Sequence, residues 1–367
     1  MREIYLIVQS ILILSIIGFL LACSGSRGGE SSPSDGQSNS PIQLVFEVIE
    51  APKPVLSDGV WVMVYELVIS NQGDQTVTLE SINISENETS LLTVQSGVVG
   101  DLTLDSTRQI LPGEFNALFL WVESSAAARP GNLSHQITVS DSQNTSTDLA
   151  YMLPLNSQMA INLGSPLDGE RWLTLNLNNQ EGHRRALNLY DDIPRFAQRY
   201  AIDWIKLDEQ NQSFDGDATI NENYYAHGQN VYAVQDGIIS KIVNGFPDNT
   251  PGNLGDGSAP LAGNFILLTM DNGESALYGH LLVDSILVLE GSRISKGDLL
   301  ARVGNSGNSS EPHLHFHVAE VIDPQSPSTL NGIGQPFSFE SFYVDADANF
   351  IGQRINEMPK DASLISF

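Results

Sequence analysis

Cysteine is almost absent from this sequence, because Cys23 is the only one among 367 residues. A single thiol cannot form an internal disulfide, and it excludes a zinc site built from cysteine ligands. The sequence also lacks a His-Glu-x-x-His motif, which excludes the helix-borne glutamate base of thermolysin-type peptidases. A Gly-x-Ser-x-Gly elbow and a complete phosphate-binding loop are missing as well. Any catalysis must therefore use His, Asp, Glu or hydroxyl side chains.

Basic residues are scarce: 17 Lys and Arg stand against 44 Asp and Glu, which gives a formal net charge of −27. Nucleic acid is excluded as a partner on this ground, since its phosphates would be repelled. The excess of acid is otherwise typical of a soluble protein outside the cell. Hydrophobic residues make up 41% of the chain, so its length allows more than one domain with a core of its own.

The first 22 residues predict a secretion signal. Arg2 gives a short positive region, and residues 4–21 form a mostly apolar run that is short for a spanning helix. The end of this run, 20–23 (LLAC), resembles a bacterial lipobox. That resemblance implies cleavage before Cys23 and lipidation of its thiol and new amino group. An uncleaved membrane anchor is the alternative, and both interpretations place the remaining chain outside the cytoplasm.

Localisation in the cell envelope follows from this prediction. Ser24 after the cysteine implies the outer membrane if the organism is Gram-negative. Residues 23–41 comprise the lipidated cysteine and a segment rich in Ser and Gly, which predicts a flexible tether.

Two β domains are predicted after the tether. Residues 42–158 contain short runs of β-branched and aromatic residues separated by Pro, Gly, Asn and Asp, which favours a β-sandwich. Residues 159–325 continue with strand and turn patterns and contain most of the histidines. Residues 326–367 are predicted to be a C-terminal extension. The fold class is therefore all-β.

The most informative stretch is 311–318 (EPHLHFHV), where His313, His315 and His317 occupy every second position. In a strand these three side chains share one face, while the intervening apolar residues face a core. Two imidazoles spaced in this way can bind one zinc ion. A surface strand that is polar on one side is the alternative. Asp203 adds to the metal interpretation, because a carboxylate in an apolar stretch is costly unless it is paired or binds a metal.

Four motifs follow one another over about a hundred residues: 231–237 (VYAVQDG), 278–281 (YGHL), 296–298 (KGD), and 304–316, which begins with GNSG and ends with PHLHF. Together they resemble the lysostaphin-like (LytM-type) zinc metallopeptidases over roughly residues 166–324. The resemblance implies an antiparallel β-sheet peptidase domain with a groove closed by loops. It also implies one zinc ion and cleavage of peptide bonds in the stems or cross-bridges of peptidoglycan.

Site residues can be carried over where the motifs match. The resemblance implies that Asp203 and His315 are zinc ligands and that His313 is the catalytic histidine. It implies that His280 orients water or stabilises the oxyanion.

One position departs from the family pattern. The family has a ligand histidine four residues before the aspartate, and this position is Arg199 here, in 199–203 (RYAID). Arginine has no lone pair to donate to a metal. The leading substitute is His183, in 182–186 (GHRRA), and His227 is the second candidate. His317 is expected to lie beyond His315, either next to the ligand or facing the substrate.

The sequence therefore predicts a lipid-anchored, zinc-dependent peptidoglycan endopeptidase with peptidoglycan peptides as partners. The departure at Arg199 keeps open a degenerate domain that binds cell-wall peptides or activates an amidase without catalysis. A generic extracellular binding or structural lipoprotein is a third hypothesis.

Overall fold

A computed structural model describes residues 42–177, 182–190, 193–321, 323–326, 330–346 and 349–367. The predicted signal, the tether and Cys23 lie outside these ranges. Within the described ranges, no helix combines the length and apolar character that a membrane-spanning segment needs.

The N-terminal domain consists of two antiparallel sheets. Its elements are β1 (Leu44–Val48), β2 (Val55–Ser57), β3 (Val60–Asn71), β4 (Val77–Glu86), β5 (Thr89–Gln95), α1 (Ser96–Leu102), β6 (Gln109–Ile110), β7 (Phe115–Ser124), β8 (Asn132–Ser140) and β9 (Ser146–Pro154). One sheet has the order β1-β3-β2 with β7 also paired to β3, and the other has β5-β4-β8-β9 with β6 paired to β4. Apolar residues from both sheets fill the space between them. This is the predicted β-sandwich.

The second domain is built on one large sheet. Its strands are β10 (Ile161–Leu163), β11 (Trp172–Leu175), β12 (Asn188–Tyr190), β13 (Ile193–Arg195), β14 (Ile202–Lys206), β15 (Asn230–Tyr232), β16 (Gly237–Val243), β17 (Asn264–Met270), β18 (Ser275–Leu281), β19 (Arg293–Ile294), β20 (Leu299–Arg302), β21 (Leu314–Val321), β22 (Gly332–Gly334), β23 (Phe337–Ala346), β24 (Asn349–Glu357) and β25 (Leu364–Ser366), with a 3-10 turn at Asn221–Asn223. The sheet order is β10-β23-β25-β11-β14-β21-β18-β17-β16-β19, with β22 paired to β21 and β24 paired to β23. Among the described residues, its strands pair in antiparallel fashion except β10 with β23. Two further pairs, β12 with β13 and β15 with β20, form small sheets of their own. The all-β prediction is confirmed.

The C-terminal residues belong to this sheet. Strand β25 lies between β23 and β11, and β11 pairs directly with β14. Ile365 and Met358 are fully buried in the same apolar cluster as Trp204 of β14. The segment predicted as an extension thus completes one half of the sheet that contains the candidate site.

Strand β3 joins the two domains because both of its faces are buried. Successive side chains point to opposite faces, so Met63, Tyr65 and Leu67 enter the sandwich core. Val62 and Val64, from the opposite face, belong to the apolar cluster of the second domain. The two domains therefore share a continuous interface along one strand.

His135 of β8 lies in the sandwich core and is fully buried. One ring nitrogen, Nε2, is 2.6 Å from the Tyr65 hydroxyl and the other, Nδ1, is 3.2 Å from the Tyr151 carbonyl oxygen. Burial lowers the pKa of His135 to about 4. His135 is therefore a structural residue, and it is not part of the group of residues that could hold a metal ion.

Acidification should destabilise the sandwich through His135. Its pKa is about 4 in the folded chain and about 6.5 in the unfolded chain, so the unfolded state binds more protons between these values. Stability is therefore full above pH 6.5 and falls as the pH drops towards 4, by about 2 kcal/mol between pH 7 and pH 5. Urea unfolding at both pH values should show a smaller loss for His135→Gln than for wild type. An equal loss in both proteins would contradict the prediction.

Candidate metal centre

The candidate site forms where three neighbouring strands meet. In the antiparallel register, Asp203 of β14 lies directly opposite His315 of β21, and Gly279 of β18 lies opposite the same histidine from the other side. His280 follows Gly279 and has a positive φ of 58°, an uncommon backbone conformation for a non-glycine residue. Its amide donates a hydrogen bond to the Ala262 carbonyl at 2.8 Å. Strand pairing thus brings residues from distant parts of the sequence together.

The alternation of residues 313–318 has the predicted consequence. His313, His315 and His317 are nearly buried on one side of the sheet. Phe316 and Val318 point to the opposite side and belong to the apolar cluster of the second domain. The apolar packing therefore fixes the strand that presents the histidines.

Three side chains form a group that could hold a metal ion, and we call it the ligand group: His183, Asp203 and His315. One ligand atom of each lies within 4.8 Å of the others. Nδ1 of His315 is 2.8 Å from Oδ1 of Asp203, and Nε2 of His183 is 3.6 Å from Oδ2 of the same carboxylate. These are two imidazoles and one carboxylate, which is a donor set that zinc accepts at a catalytic site.

His183 fits this role for a further reason. Its Nδ1 is buried and has no hydrogen-bond partner among the described residues. Nε2 is the nitrogen that faces Asp203, so a cation shared with that carboxylate would bind the Nε2 lone pair, and Nδ1 would carry the proton of the neutral ring. The ring of His183 also lies edge-on to that of His315, with 4.7 Å between their centroids.

Neighbouring side chains orient the ligand group. Nδ2 of Asn176 donates a hydrogen bond to Oδ2 of Asp203 at 2.7 Å. Nε2 of His315 is 2.9 Å from Nδ1 of His317 and 3.2 Å from the side-chain amide of Gln198. The Gln198 nitrogen can only donate, so Nε2 of His315 accepts from it, and Nδ1–H of His315 donates to the Asp203 carboxylate. A metal ion bound at Nδ1 would take the place of that proton. Contacts of this kind set the orientation of metal-binding histidines.

His313 and His280 lie beside the ligand group with matching hydrogen bonds. Nδ1 of His313 is 2.9 Å from the Glu311 carbonyl oxygen, and Nδ1 of His280 is 2.7 Å from that of Ser306. A carbonyl oxygen only accepts, so Nδ1 carries the proton in both rings. Their Nε2 atoms therefore have a lone pair when the rings are neutral. The ring centroids are 4.6 Å apart, and Nε2 of His313 is 3.6 Å from Oδ1 of Asp203.

Burial and charge set different pKa values within the site. Burial lowers the pKa of His183 to about 4, and it lowers the pKa of His280 and His317 well below the usual range. Burial opposes ionisation of Asp203, but His313, His183 and the hydrogen bonds outweigh it, so the pKa of this carboxyl is well below its usual value. His313 is the exception among the imidazoles, because the charge of Asp203 outweighs burial and raises its pKa. The site thus combines an ionised Asp203 carboxylate with a neutral His183 imidazole, which are the protonation states that metal binding needs.

Residues 223–327 match the family model described as peptidase family M23. The chain contains a peptidase family M23 domain. The matched stretch includes His280, His313 and His315, whereas Asp203 and His183 precede it. The M23 match therefore covers the strands on one side of the site, and the ligand group extends beyond it.

Curated relatives share a short segment with this chain. Peptidoglycan DD-endopeptidase ShyA of Vibrio cholerae is 36% identical over 59 residues, which are 16% of this chain and 13% of the relative. Peptidoglycan DD-endopeptidase ShyB of the same organism is 37% identical over 59 residues, with the same coverage. The match thus spans about one eighth of each relative's length.

Solved structures of M23 proteins were also found. A putative peptidase M23 from Pseudomonas aeruginosa has 11% identity and a TM-score of 0.25, and the alignment covers 66% of this chain and 86% of that one. The catalytic domain of lysostaphin from Staphylococcus simulans has 17% identity and a TM-score of 0.23, with 47% and 86% covered. The likeness to peptidase family M23 rests on residues 223–327.

Arg199 departs from the predicted family pattern, and the structure shows what it binds instead. The guanidinium is nearly buried and turns away from the ligand group into the domain interface, where Nη2 is 2.5 Å from Oε2 of Glu66. His227, the second candidate ligand, instead pairs with Asp248 at 2.9 Å and is not part of the ligand group. His183 is the histidine that lies against Asp203.

Three residues with informative contacts were not found from the sequence: Asn176 contacts Asp203, Gln198 contacts His315, and Glu66 binds Arg199. The first two are ordinary polar residues in turns, and nothing in their local sequence indicates a contact with Asp203 or His315. Glu66 did carry a signal. It is the only charged residue in strand β3, whose other described side chains are mostly apolar, and the rule that singled out Asp203 applies to it equally.

Proposed function

We propose that this chain is a zinc-dependent endopeptidase that cleaves peptide bonds in the stems or cross-bridges of peptidoglycan. The observation that carries this proposal is the ligand group with two further histidines, His313 and His280, facing it. The short match to curated peptidoglycan DD-endopeptidases supports the choice of substrate. Lipidation at Cys23 would retain the enzyme in the cell envelope, and the tether of residues 24–41 would give it reach.

The ligand group would hold the zinc ion. When bound there, zinc would lower the pKa of a water molecule and polarise the peptide carbonyl. Nε2 of His313 is the proton acceptor in this proposal, because its lone pair faces the site while Nδ1–H is fixed by the Glu311 carbonyl. The same nitrogen then gives the proton to the leaving amine. His280, whose neutral ring offers the Nε2 lone pair, orients the attacking water by accepting a hydrogen bond from it.

A cleft beside His280 offers space for a peptide chain. Its volume is about 690 Å³, and its lining includes Phe246, Leu254, Leu261 and Gly307. None of the site histidines lines it. However, Leu261 and Gly307 adjoin in sequence the two residues whose carbonyls bind His280, Ala262 and Ser306. A peptide lying in this cleft would thus reach the site next to His280.

Metal removal tests the proposal. We expect the purified chain to contain about one zinc ion and to release peptides from isolated peptidoglycan. Chelation should abolish the release, and added zinc should restore it. A chain that contains no zinc under zinc-replete conditions, and releases nothing, would refute the enzyme proposal. Retained binding to peptidoglycan would then favour the non-catalytic wall-binding alternative.

A further inference from the structure

A cluster of buried charges lies at the domain interface, and we call it the charge cluster: Glu66, Arg184 and Arg199. Their exposed fractions are 0%, 1% and 3%. Oε2 of Glu66 is 2.5 Å from Nη2 of Arg199, and Oε1 is 3.2 Å from Nε of the same side chain. Nη1 of Arg184 donates a further hydrogen bond to Oε1. One carboxylate of the sandwich therefore binds two guanidiniums of the M23 domain.

The charge cluster is balanced by a second carboxylate. Oε2 of Glu50 is 3.5 Å from Nη1 of Arg199, and Gln335 donates hydrogen bonds to the same carboxylate at 3.0 and 3.2 Å. Burial opposes ionisation of Glu66, but the two guanidiniums outweigh it and lower its pKa. Glu66 is thus ionised, and its loss would leave buried positive charge without its main partner.

The two arginines are placed next to the ligand group in sequence. Arg184 directly follows His183, and Arg199 precedes Asp203 by four residues. Nη2 of Arg184 also donates a hydrogen bond to the Tyr65 carbonyl at 2.9 Å. The segment that carries His183 is therefore bound to strand β3 of the sandwich one residue away from this ligand. The segment that carries Asp203 is bound to the same strand four residues away from its ligand.

His183 depends on these contacts more than the other ligands do. Asp203 and His315 lie on paired strands of the large sheet, whereas residues 182–185 form a turn without strand pairing. This turn packs on the sandwich through a second arginine, Arg185, whose guanidinium lies 5.0 Å from the centroid of the Phe119 ring and donates a hydrogen bond to the Asp101 carbonyl. Since no ladder fixes the turn, the sandwich determines where His183 lies.

We propose that Glu66 is a positioning residue for the metal centre: by binding Arg184 and Arg199 it places His183 against Asp203, so the β-sandwich completes the ligand group of the M23 domain. This inference rests on the proposed function, because it assumes that the ligand group binds metal. Arg199 occupies the position where the family resemblance places a ligand histidine. In this chain Arg199 instead binds Glu66 across the domain interface. The third ligand is His183, which lies in a turn whose Arg184 binds the same Glu66 carboxylate.

Metal affinity is the decisive measurement. We expect Glu66→Gln in the full chain to weaken Co²⁺ binding, followed by its visible absorption spectrum, by about 10- to 100-fold, the usual effect of losing a contact that orients a ligand. The spectrum should also change, because the position of His183 alters the geometry around the ion. Glu66→Asp should recover part of the affinity, since it restores the charge.

The matched control is Val62→Ala, which removes packing from the same face of β3 without touching the charge cluster. Val62 is nearly buried in the apolar cluster of the M23 domain. We expect this variant to lower the melting temperature of the metal-free protein while leaving Co²⁺ affinity within about twofold.

Arg185→Ala is a second probe for the case in which Glu66→Gln does not fold, because it loosens the turn without leaving Glu66 or its two arginines unpaired. It should weaken Co²⁺ binding as well.

Several outcomes would overturn the inference. Unchanged affinity and spectrum in folded Glu66→Gln would do so, and so would unchanged affinity in Arg185→Ala if Glu66→Gln does not fold. An equal loss of affinity in Val62→Ala would show that Glu66 acts only through general stability. Failure of the proposed function looks different, because the wild-type chain itself would then bind no Co²⁺.

Discussion

His183→Ala should leave the protein folded but nearly free of zinc. Two ligands, Asp203 and His315, would remain, and catalytic zinc normally has three protein ligands. We expect the affinity for zinc to fall by about 100-fold or more, since even indirect contacts to a ligand are worth 10- to 100-fold. Peptide release from peptidoglycan should fall to background. Zinc content after dialysis and a competition titration with a chromogenic chelator would measure the effect.

His227→Ala is the matched control for this variant. The side chain of His227 is 11% exposed and pairs with Asp248, so it is a partly buried histidine next to a carboxylate, as His183 is. It should keep its zinc because it is not part of the ligand group. If His183→Ala retains zinc while His315→Ala loses it, the third ligand is another residue and the enzyme proposal still stands. If His227→Ala loses zinc instead, the assignment of the two histidines must be exchanged.

The strand that presents the histidines could be predicted from sequence because its information is local. Alternation in 313–318 separates a polar face from an apolar face without reference to any other part of the chain. Asp203 was detectable for a related reason, since a carboxylate within an apolar strand needs a partner. The all-β class likewise follows from the spacing of strand and turn signals.

The parts that depend on long-range contacts could not be predicted. Glu66 is 118 and 133 residues away from the two arginines it binds, and no local pattern specifies such a pair. The same holds for strand β25, whose neighbours in the sheet are β11 and β23. Its three residues are too short for a periodic signal.

The interface explains why Arg199 need not indicate a degenerate site. A residue that loses its function is free to become any exposed polar side chain, whereas Arg199 is nearly buried and makes charge-assisted hydrogen bonds to Glu66. Burying a guanidinium costs free energy unless it is paired. The contact thus has a structural role, and the ligand group reaches three members through His183.

His313→Gln should separate proton transfer from metal binding. The ligand group does not include His313, so we expect zinc content close to that of wild type. Loss of a positioned general base typically lowers the rate by about 10²- to 10⁴-fold, and kcat for peptide release should fall within this range while KM changes little. Glutamine is close in size to histidine and can still donate a hydrogen bond, but it cannot accept a proton at neutral pH.

The comparison with His280→Gln decides between the two histidines that face the ligand group. Both rings have Nδ1–H fixed by a backbone carbonyl and offer Nε2 to the site, so hydrogen bonding alone does not rank them. Nε2 of His313 is the nitrogen that lies 3.6 Å from Asp203, and it is therefore the better placed acceptor for a proton released at the ligand group. A larger loss of kcat in His280→Gln than in His313→Gln would reverse the two roles. Loss of zinc from His313→Gln would make this residue a ligand, because a base that only receives the proton has no effect on metal content.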